Sequence, residues 1–308
     1  MNVHRSKAWN SPGKRDRQAA PARWRPRIAG SLVAIALLAA ALPAPAAESY
    51  DNCTGIVDSL PATIGTSGTW CLQGDLSTAM GTGAAVSVTA NNVTLDCNGF
   101  KIGGLAAGPG SAATGVFANG RTNTVVRNCS IRGFQHGIDL FLGEGHVVED
   151  NSLDGSTSIG IQISGDGVIR RNIVRGTGGS TLTPSVNGIR TTHDVDIIDN
   201  SIIGVAAGSG GGAYGILAYG NENGSIRDNR IRGVVGEGLV VGISSAQMLI
   251  NGVPTEGRIT LANNQIIGPG DWALFCHNGS GVARDNVLSG FTAGITNCTV
   301  SIGNDVTP

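Results

Sequence analysis

Asp166 and Asp194 occupy equivalent places in two neighbouring, similar segments of this chain, with Asp196 close by, Glu144 one segment earlier and Glu222 one segment later. Like charges set this near are unfavourable unless a cation joins them or one carboxyl stays protonated. An oxygen-rich group of this kind suits Ca²⁺; turns that splay the carboxylates into solvent are the competing reading. Arg190 and His193 lie between the two aspartates in sequence. Either could remove a proton as a base, although a lone histidine on a turn is usually just solvated. Asp139, Gln162, Tyr214 and Tyr219 complete the candidate set. They offer hydrogen-bonding groups and aromatic faces to a substrate, against the plainer reading of an ordinary mixed sheet surface.

What positions these residues is a repeat. The frames NSLDG (151–155), NIVRG (172–176), NSIIG (200–204), NRIRG (229–233), NQIIG (264–268) and NVLSG (286–290) share an Asn, an apolar residue two later and a Gly two beyond that, with NCSIRG (128–133) as an earlier variant. Their glycines are spaced 22, 21, 28, 29, 35 and 22 residues, a base unit of about 22 with insertions, which is a solenoid signature. Each unit holds three short alternating pieces. The first ends three residues before the Asn, at Val148, Ile169, Ile197, Ile226 or Leu261. The second carries Leu153, Val174, Ile202, Ile231, Ile266 or Leu288, and the third begins with Gly and an apolar residue, as at Gly137-Ile138, Gly160-Ile161, Gly188-Ile189, Gly215-Ile216, Gly238-Leu239 and Gly294-Ile295. Three strands per turn of chain, stacked at about 4.8 Å, make three long parallel sheets.

These coils resemble those of the right-handed parallel β-helix proteins, the pectate-lyase-like superfamily, over nearly all of residues 80–304. VTLDCNGFKI (93–102) is similar to the opening coil of bacterial members. The resemblance implies an all-β, single-stranded right-handed parallel β-helix of about 8–9 coils over residues 91–308, with a cap over 47–90. It also implies an exported protein that acts on or binds a polysaccharide. The superfamily includes lyases, hydrolases, esterases and epimerases beside non-catalytic adhesins, so fold does not choose the reaction. The chain lacks the G-H-G of polygalacturonases, the D-F-I-F-G of pectin esterases and the D-P-H of alginate epimerases.

The repeat separates framework from candidate chemistry. The Asn column, Asn151, Asn172, Asn200, Asn229, Asn264 and Asn286, is expected to form an amide ladder that satisfies backbone groups at a bend. Arg127, Glu149 and Arg170 should form one outward column of alternating sign, and Arg132, Asp154 and Arg175 another, as a solvated sheet requires. Departures from the 22-residue rule are the informative places. From the frame Gly to the third-strand Gly takes 12 residues in 176–188 and 11 in 204–215, against 4 or 5 elsewhere, and a further insertion spans 243–258. Loops on successive coils should wall a groove over the third sheet. Its floor is expected to read Asp139, Gln162, Arg190, Leu217, Val240, Phe275 and Thr296.

Residues 1–46 carry eight of the 21 Lys/Arg, an apolar run at 28–42 and Ala44-Pro45-Ala46. That order reads as a secretory signal peptide, with no membrane span after its cleavage. The remainder holds 13 basic and 21 acidic residues, net −8, with Lys101 its only lysine. Such a surface as a whole repels nucleic acid and anionic membranes, and it repels an acidic polysaccharide unless a cation intervenes. Secretion or a periplasmic location makes the six cysteines candidate disulfides in consecutive pairs, Cys53/Cys71, Cys97/Cys129 and Cys276/Cys298; free buried thiols remain open for the middle pair. Two functions follow. One is Ca²⁺-assisted β-elimination of a uronide, with Arg190 as base, His193 nearby and the cation on Asp166, Asp194 and Asp196. The other is a non-catalytic glycan-binding or structural β-helix.

Overall fold

The computed structural model describes residues 52–220, 223–246, 249–250, 253–254 and 258–307. Residues 48–308 form one compact unit. The region read as a signal peptide lies outside the described residues, as does Glu222.

Alternating apolar residues drive the chain into short strands, and coil after coil these pair in parallel with the equivalent strand of the next turn. The first sheet has 11 strands, from Gly55–Val57 to Val300–Ile302. The second runs from Leu76–Ser77 to Asp305–Thr307 and the third from Ala62–Ile64 onward. In the last coils Gln265–Cys276 and Val287–Thr296 pass through the corner without a break, so the second and third sheets share one hydrogen-bonded network. Among the described residues no α-helix occurs, and no helix is long and apolar enough to cross a membrane. The segment expected to cap the helix is itself built of coils. Gly68–Leu72 pairs with both Gly55–Val57 and Val93–Asp96, and Ala62–Ile64 pairs with Ala84–Val88.

The inward columns match the expected spacing. Val148, Ile169, Ile197, Ile226 and Leu261 stack in register on the first sheet, and Leu153, Val174, Ile202, Ile231 and Ile266 on the second. All ten are fully buried. At about 1.5–3 kcal/mol for each fully buried aliphatic side chain, these columns hold the coils together.

The corner between first and second sheets is a continuous amide ladder. Asn200 shows the unit: its backbone N–H and Nδ2 both donate to Asn229 Oδ1 at 2.9 and 3.0 Å, while Nδ2 also donates to the Ile169 and Ile198 carbonyls. The paired backbone and Nδ2 donations to the Oδ1 one coil on recur from Asn151 to Asn286, and Asn304 extends them. Asn151 Oδ1 accepts instead from Cys129 N–H, because Cys129 stands where the preceding coil's Asn would be, bridged to Cys97. The residue before each ladder position is left-handed: Asn128 before Cys129, and Asp150, Asp199, Asp228, Asn263 and Asp285 before ladder asparagines, have φ of 54 to 61°. Asn and Asp tolerate that region best. Arg171 is the exception at φ 55°, its guanidinium held by Asp150 and Glu149. The frame glycines 133, 155, 176, 204, 233 and 290 have φ between 62 and 77°, which fixes their identity.

All six cysteines are paired: Cys53–Cys71, Cys97–Cys129 and Cys276–Cys298, with Cα separations of 5.8, 4.7 and 4.9 Å. The alternating charge columns are also present, with Arg127 on Asp96 at 2.8 Å, Arg170 on Glu149 at 2.7 Å and Arg132 on Asp154 at 2.9 Å.

Candidate functional site

The third sheet carries its outward residues on three columns, each fixed by parallel register. One runs His136, Ile159, Asn187, Tyr214, Val241 and Trp272; the next runs Asp139, Gln162, Arg190, Leu217, Ser244, Phe275 and Thr296. The third includes Phe141, Ser164, Thr192 and Tyr219. Ser244 replaces Val240 in the expected floor. The sequence GEGLVVGIS offers two Gly-apolar pairs, and Gly242-Ile243, not Gly238-Leu239, takes the place in the strand that Gly215-Ile216 holds one coil earlier. Gly238 instead belongs to the corner, where its N–H donates to Gly211 O at 3.1 Å, and Val240 N–H is held by the Asp271 carboxylate at 2.8 Å. The glycine is required at 242 because an added Cβ would sit 2.6 Å from Ala273 O on the next coil; at Gly137 it would sit 2.6 Å from Gly160 O.

The shift lengthens the corner. Three consecutive coils now carry extended connections, over 176–188, 204–215 and 233–242. They touch in sequence: Gly208 N–H donates to Pro184 O at 2.9 Å, Gly212 N–H to Ser185 Oγ at 3.2 Å, and Ser209 Oγ to Glu237 at 2.8 Å. An earlier loop joins them, Thr181 N–H reaching Pro109 O at 3.2 Å. A wall therefore borders the third sheet on the second-sheet side. The insertion after Ile243 contributes a two-stranded hairpin of Leu249–Ile250 and Val253–Pro254; its remaining residues fall partly outside those described.

The face divides into a polar and an aromatic half. In the polar half Asp139 is only 8% exposed, held by His136 Nδ1 at 3.2 Å and Gln162 Nε2 at 3.1 Å. A carboxylate only accepts here, so Gln162 must turn its NH₂ toward Asp139, leaving its Oε1 without a donor; Asn187 Oδ1 is likewise unpartnered. Arg190 lies next in the Asp139 column, its guanidinium carbon 6.0 Å from the Tyr219 ring centre, at the limit of a cation–π contact. Burial, with Tyr219 nearby, raises the pKa of the Tyr214 phenol and keeps it a neutral donor. In the aromatic half Trp272 and Phe275 stack at 4.3 Å, and His277 meets Phe275 edge-on at 4.3 Å. Burial lowers the pKa of the His277 imidazole, favouring its neutral form. Beside Trp272 opens a depression of about 430 Å³ lined by Glu237, Gly238, Leu239, Asp271 and Thr292. A neighbouring one of about 370 Å³ shares Glu237 and Asp271. A hollow of similar size also lies over the ladder corner at Asn98, Asn128 and Asp150, without any aromatic side chain.

The structure thus gathers Asp139, Gln162, Arg190, Tyr214 and Tyr219 on one face. His193 stands off it, exposed on the following turn at φ 70°, with Nδ1 3.4 Å from Thr192 Oγ1. Asp166 and Asp194 share a turn column, Gly167 N–H donating to Asp194 O. Both Asp194 oxygens accept from Asn223, at 3.0 and 2.7 Å, and Asp196 Oδ1 accepts from Ser225 N–H and Oγ, each at 2.8 Å. Among the described residues no three His, Cys, Asp or Glu side chains are grouped to hold a metal ion. The Asp194 and Asp196 carboxylates therefore act as turn supports, and among the described residues the group does not present a ready ligand set for Ca²⁺. His136, Asn187, Trp272, Glu237 and Asp271 escaped the sequence reading. His136, Asn187 and Trp272 each lie three residues before a member of the Asp139 column, a spacing that carried the signal; Glu237 and Asp271 carried none.

The family described as right handed beta helix region matches residues 75–214. The fold is a right-handed parallel β-helix. Solved structures of similar arrangement include the tailspike protein of E. coli bacteriophage HK620 in complex with a pentasaccharide, at 9% identity and TM-score 0.44, over 82% of this chain and 53% of that one. Others are the Agl-KA catalytic domain, at 13% identity and TM-score 0.44, over 80% and 58%, and the Azotobacter vinelandii mannuronan C-5 epimerase AlgE6 A-module, at 13% identity and TM-score 0.40, over 82% and 88%. The chain spans little more than half the length of the first two. No curated protein matches the sequence.

Proposed function

We propose that this β-helix protein binds a polysaccharide lengthwise along the outer face of its third sheet. The observation that carries the reading is the passage, on consecutive coils beside one loop wall, from Asp139, Gln162 and Arg190 to Trp272 and Phe275. Sugar hydroxyls need both donors and acceptors, and their C–H faces pack on flat aromatic rings. The five coil steps from Asp139 to Phe275 cover about 24 Å, room for a chain of several sugars. Three disulfides suit an oxidising compartment, and with the basic-then-apolar N-terminus they support export to the periplasm or beyond.

Turnover is the finer proposal. In β-elimination of a uronide, Arg190 in its neutral form would take the C5 proton, the C4–C5 double bond would form as the C4–O bond breaks, and the departing oxygen would take up a proton from solvent. The Asp194 and Asp196 carboxylates are already bonded to Asn223 and Ser225. The test is calorimetry and ultraviolet absorbance of residues 48–308 with neutral oligosaccharides and polyuronates, with and without Ca²⁺. Saturable binding lost in Trp272→Ala supports the binding reading. An absorbance rise lost in Arg190→Ala supports the lyase; binding without that rise leaves the non-catalytic reading. No binding to any glycan overturns both.

A further inference from the structure

The outer face of the second sheet changes character halfway along. In its N-terminal part charges alternate: Arg132 meets Asp154 at 2.9 Å, and Asp154 stands in register with Arg175. From there to Asp305 neither outward column holds a carboxylate. The exposed residues on this stretch include Arg175, Arg230 and Arg232, interleaved with Ile173, Ile267 and Val287, which are 43, 40 and 48% exposed. Arg175 and Arg230 donate to neutral groups, Ser152 Oγ and Gln265 Oε1, each at 2.9 Å. At the adjoining corner Asp228 is held by Arg227 at 3.0 Å, while Asp199 and Asp285 lie beside the ladder. On a chain with more acidic than basic residues, this leaves a cationic and aliphatic strip about 19 Å long, four coil spacings.

We infer that this face docks on an anionic lipid surface. Parallel register points all six side chains to one side of a nearly flat sheet, so they can meet a plane together. A soluble polyanion would use the arginines and leave the aliphatic residues without a role. A second copy packed about a two-fold would set arginine against arginine. A headgroup layer over acyl chains uses both kinds of side chain. This surface is separate from the third-sheet face, and neither reading depends on the other.

The test is co-sedimentation of residues 48–308, which contain the whole described core, with vesicles of phosphatidylglycerol and phosphatidylcholine in equal parts and with phosphatidylcholine alone. Omitting the apolar run at 28–42 keeps it from binding lipid itself. Binding is expected to the anionic vesicles, to weaken with salt, and to fall by about tenfold or more when Arg175, Arg230 and Arg232 are all changed to Ser. Ile173→Ser with Val287→Ser should lower it severalfold at unchanged melting temperature. Failure to bind anionic vesicles at low salt overturns the inference. So does binding that ignores the Ile173/Val287 change and is displaced by soluble polygalacturonate, which would identify a polyanion site instead.

Discussion

The ladder corner and the third-sheet corner of the same coils obey opposite rules. At the first, six asparagines from Asn151 to Asn286 repeat one set of contacts at one turn length, and each Nδ2 has at least two partners. At the second, connections lengthen over 176–188, 204–215 and 233–242, and buried Ser156, Thr157 and Thr177 hydroxyls have no partner. The difference teaches where selection for assembly ends: a satisfied, identical polar repeat builds the rod, and the side that relaxes the repeat is free to meet a ligand.

Breaking the ladder should cost most. Asn200→Ala removes one acceptor used by two Asn172 donors and a donor to three carbonyl oxygens, leaving buried groups unpaired. A loss of about 4 kcal/mol in urea denaturation is expected. Asn187→Ala on the third sheet, whose Oδ1 has no partner, should stay within about 0.5 kcal/mol. Equal losses at both positions would erase the distinction. Changing Cys97 and Cys129 together to Ala opens a 32-residue span, and the chain-entropy relation gives a loss of about 3–4 kcal/mol; an unchanged denaturation midpoint would show that the ladder already closes that end.

The third comparison is one of pH. His146 is fully buried at the turn from third to first sheet, with Nε2 3.2 Å from Leu142 O. Desolvation lowers its folded pKa below the ordinary 6.5, the Leu142 carbonyl only partly opposing this. The unfolded chain then binds the proton better, so stability should be full above 6.5 and decline as pH falls from 6.5 toward the folded value. Melting temperatures from pH 8 to 5 should show that decline, and His146→Asn should flatten it. Asp154→Ala, which frees the half-exposed Arg132, should cost less than about 1 kcal/mol, measured by the same denaturation.

Most of the rod was legible because its rules are local and repeated. An Asn followed at fixed offsets by Ile231 and Gly233, or by Ile202 and Gly204, reports a bend, a core position and a left-handed glycine without any knowledge of the rest of the chain. The aspartates preceding the ladder were legible too, had their left-handed preference been applied to Asp150, Asp199, Asp228 and Asp285. The first coils were not, because residues 52–90 lack the Asn frame and close by Cys53–Cys71 and strand pairing instead. The site was legible only in part. Asp139, Gln162 and Arg190 align from their offsets, yet the register slipped at Gly238, where two Gly-apolar pairs compete and only the contact with Gly211 decides. Asp194 and Asp196 suggested a cation because their partners, Asn223 and Ser225, lie one coil on, 29 residues away, where sequence spacing alone shows no contact.

A crystal of residues 48–308 soaked with the tightest-binding oligosaccharide of the panel tests the central claim most directly. The account predicts sugar density running across coils on the third sheet, with a ring over Trp272 or Phe275 and hydroxyls at Asp139, Gln162 or Arg190. Sugar seated on the ladder corner, or on the second sheet with the third left bare, would contradict it.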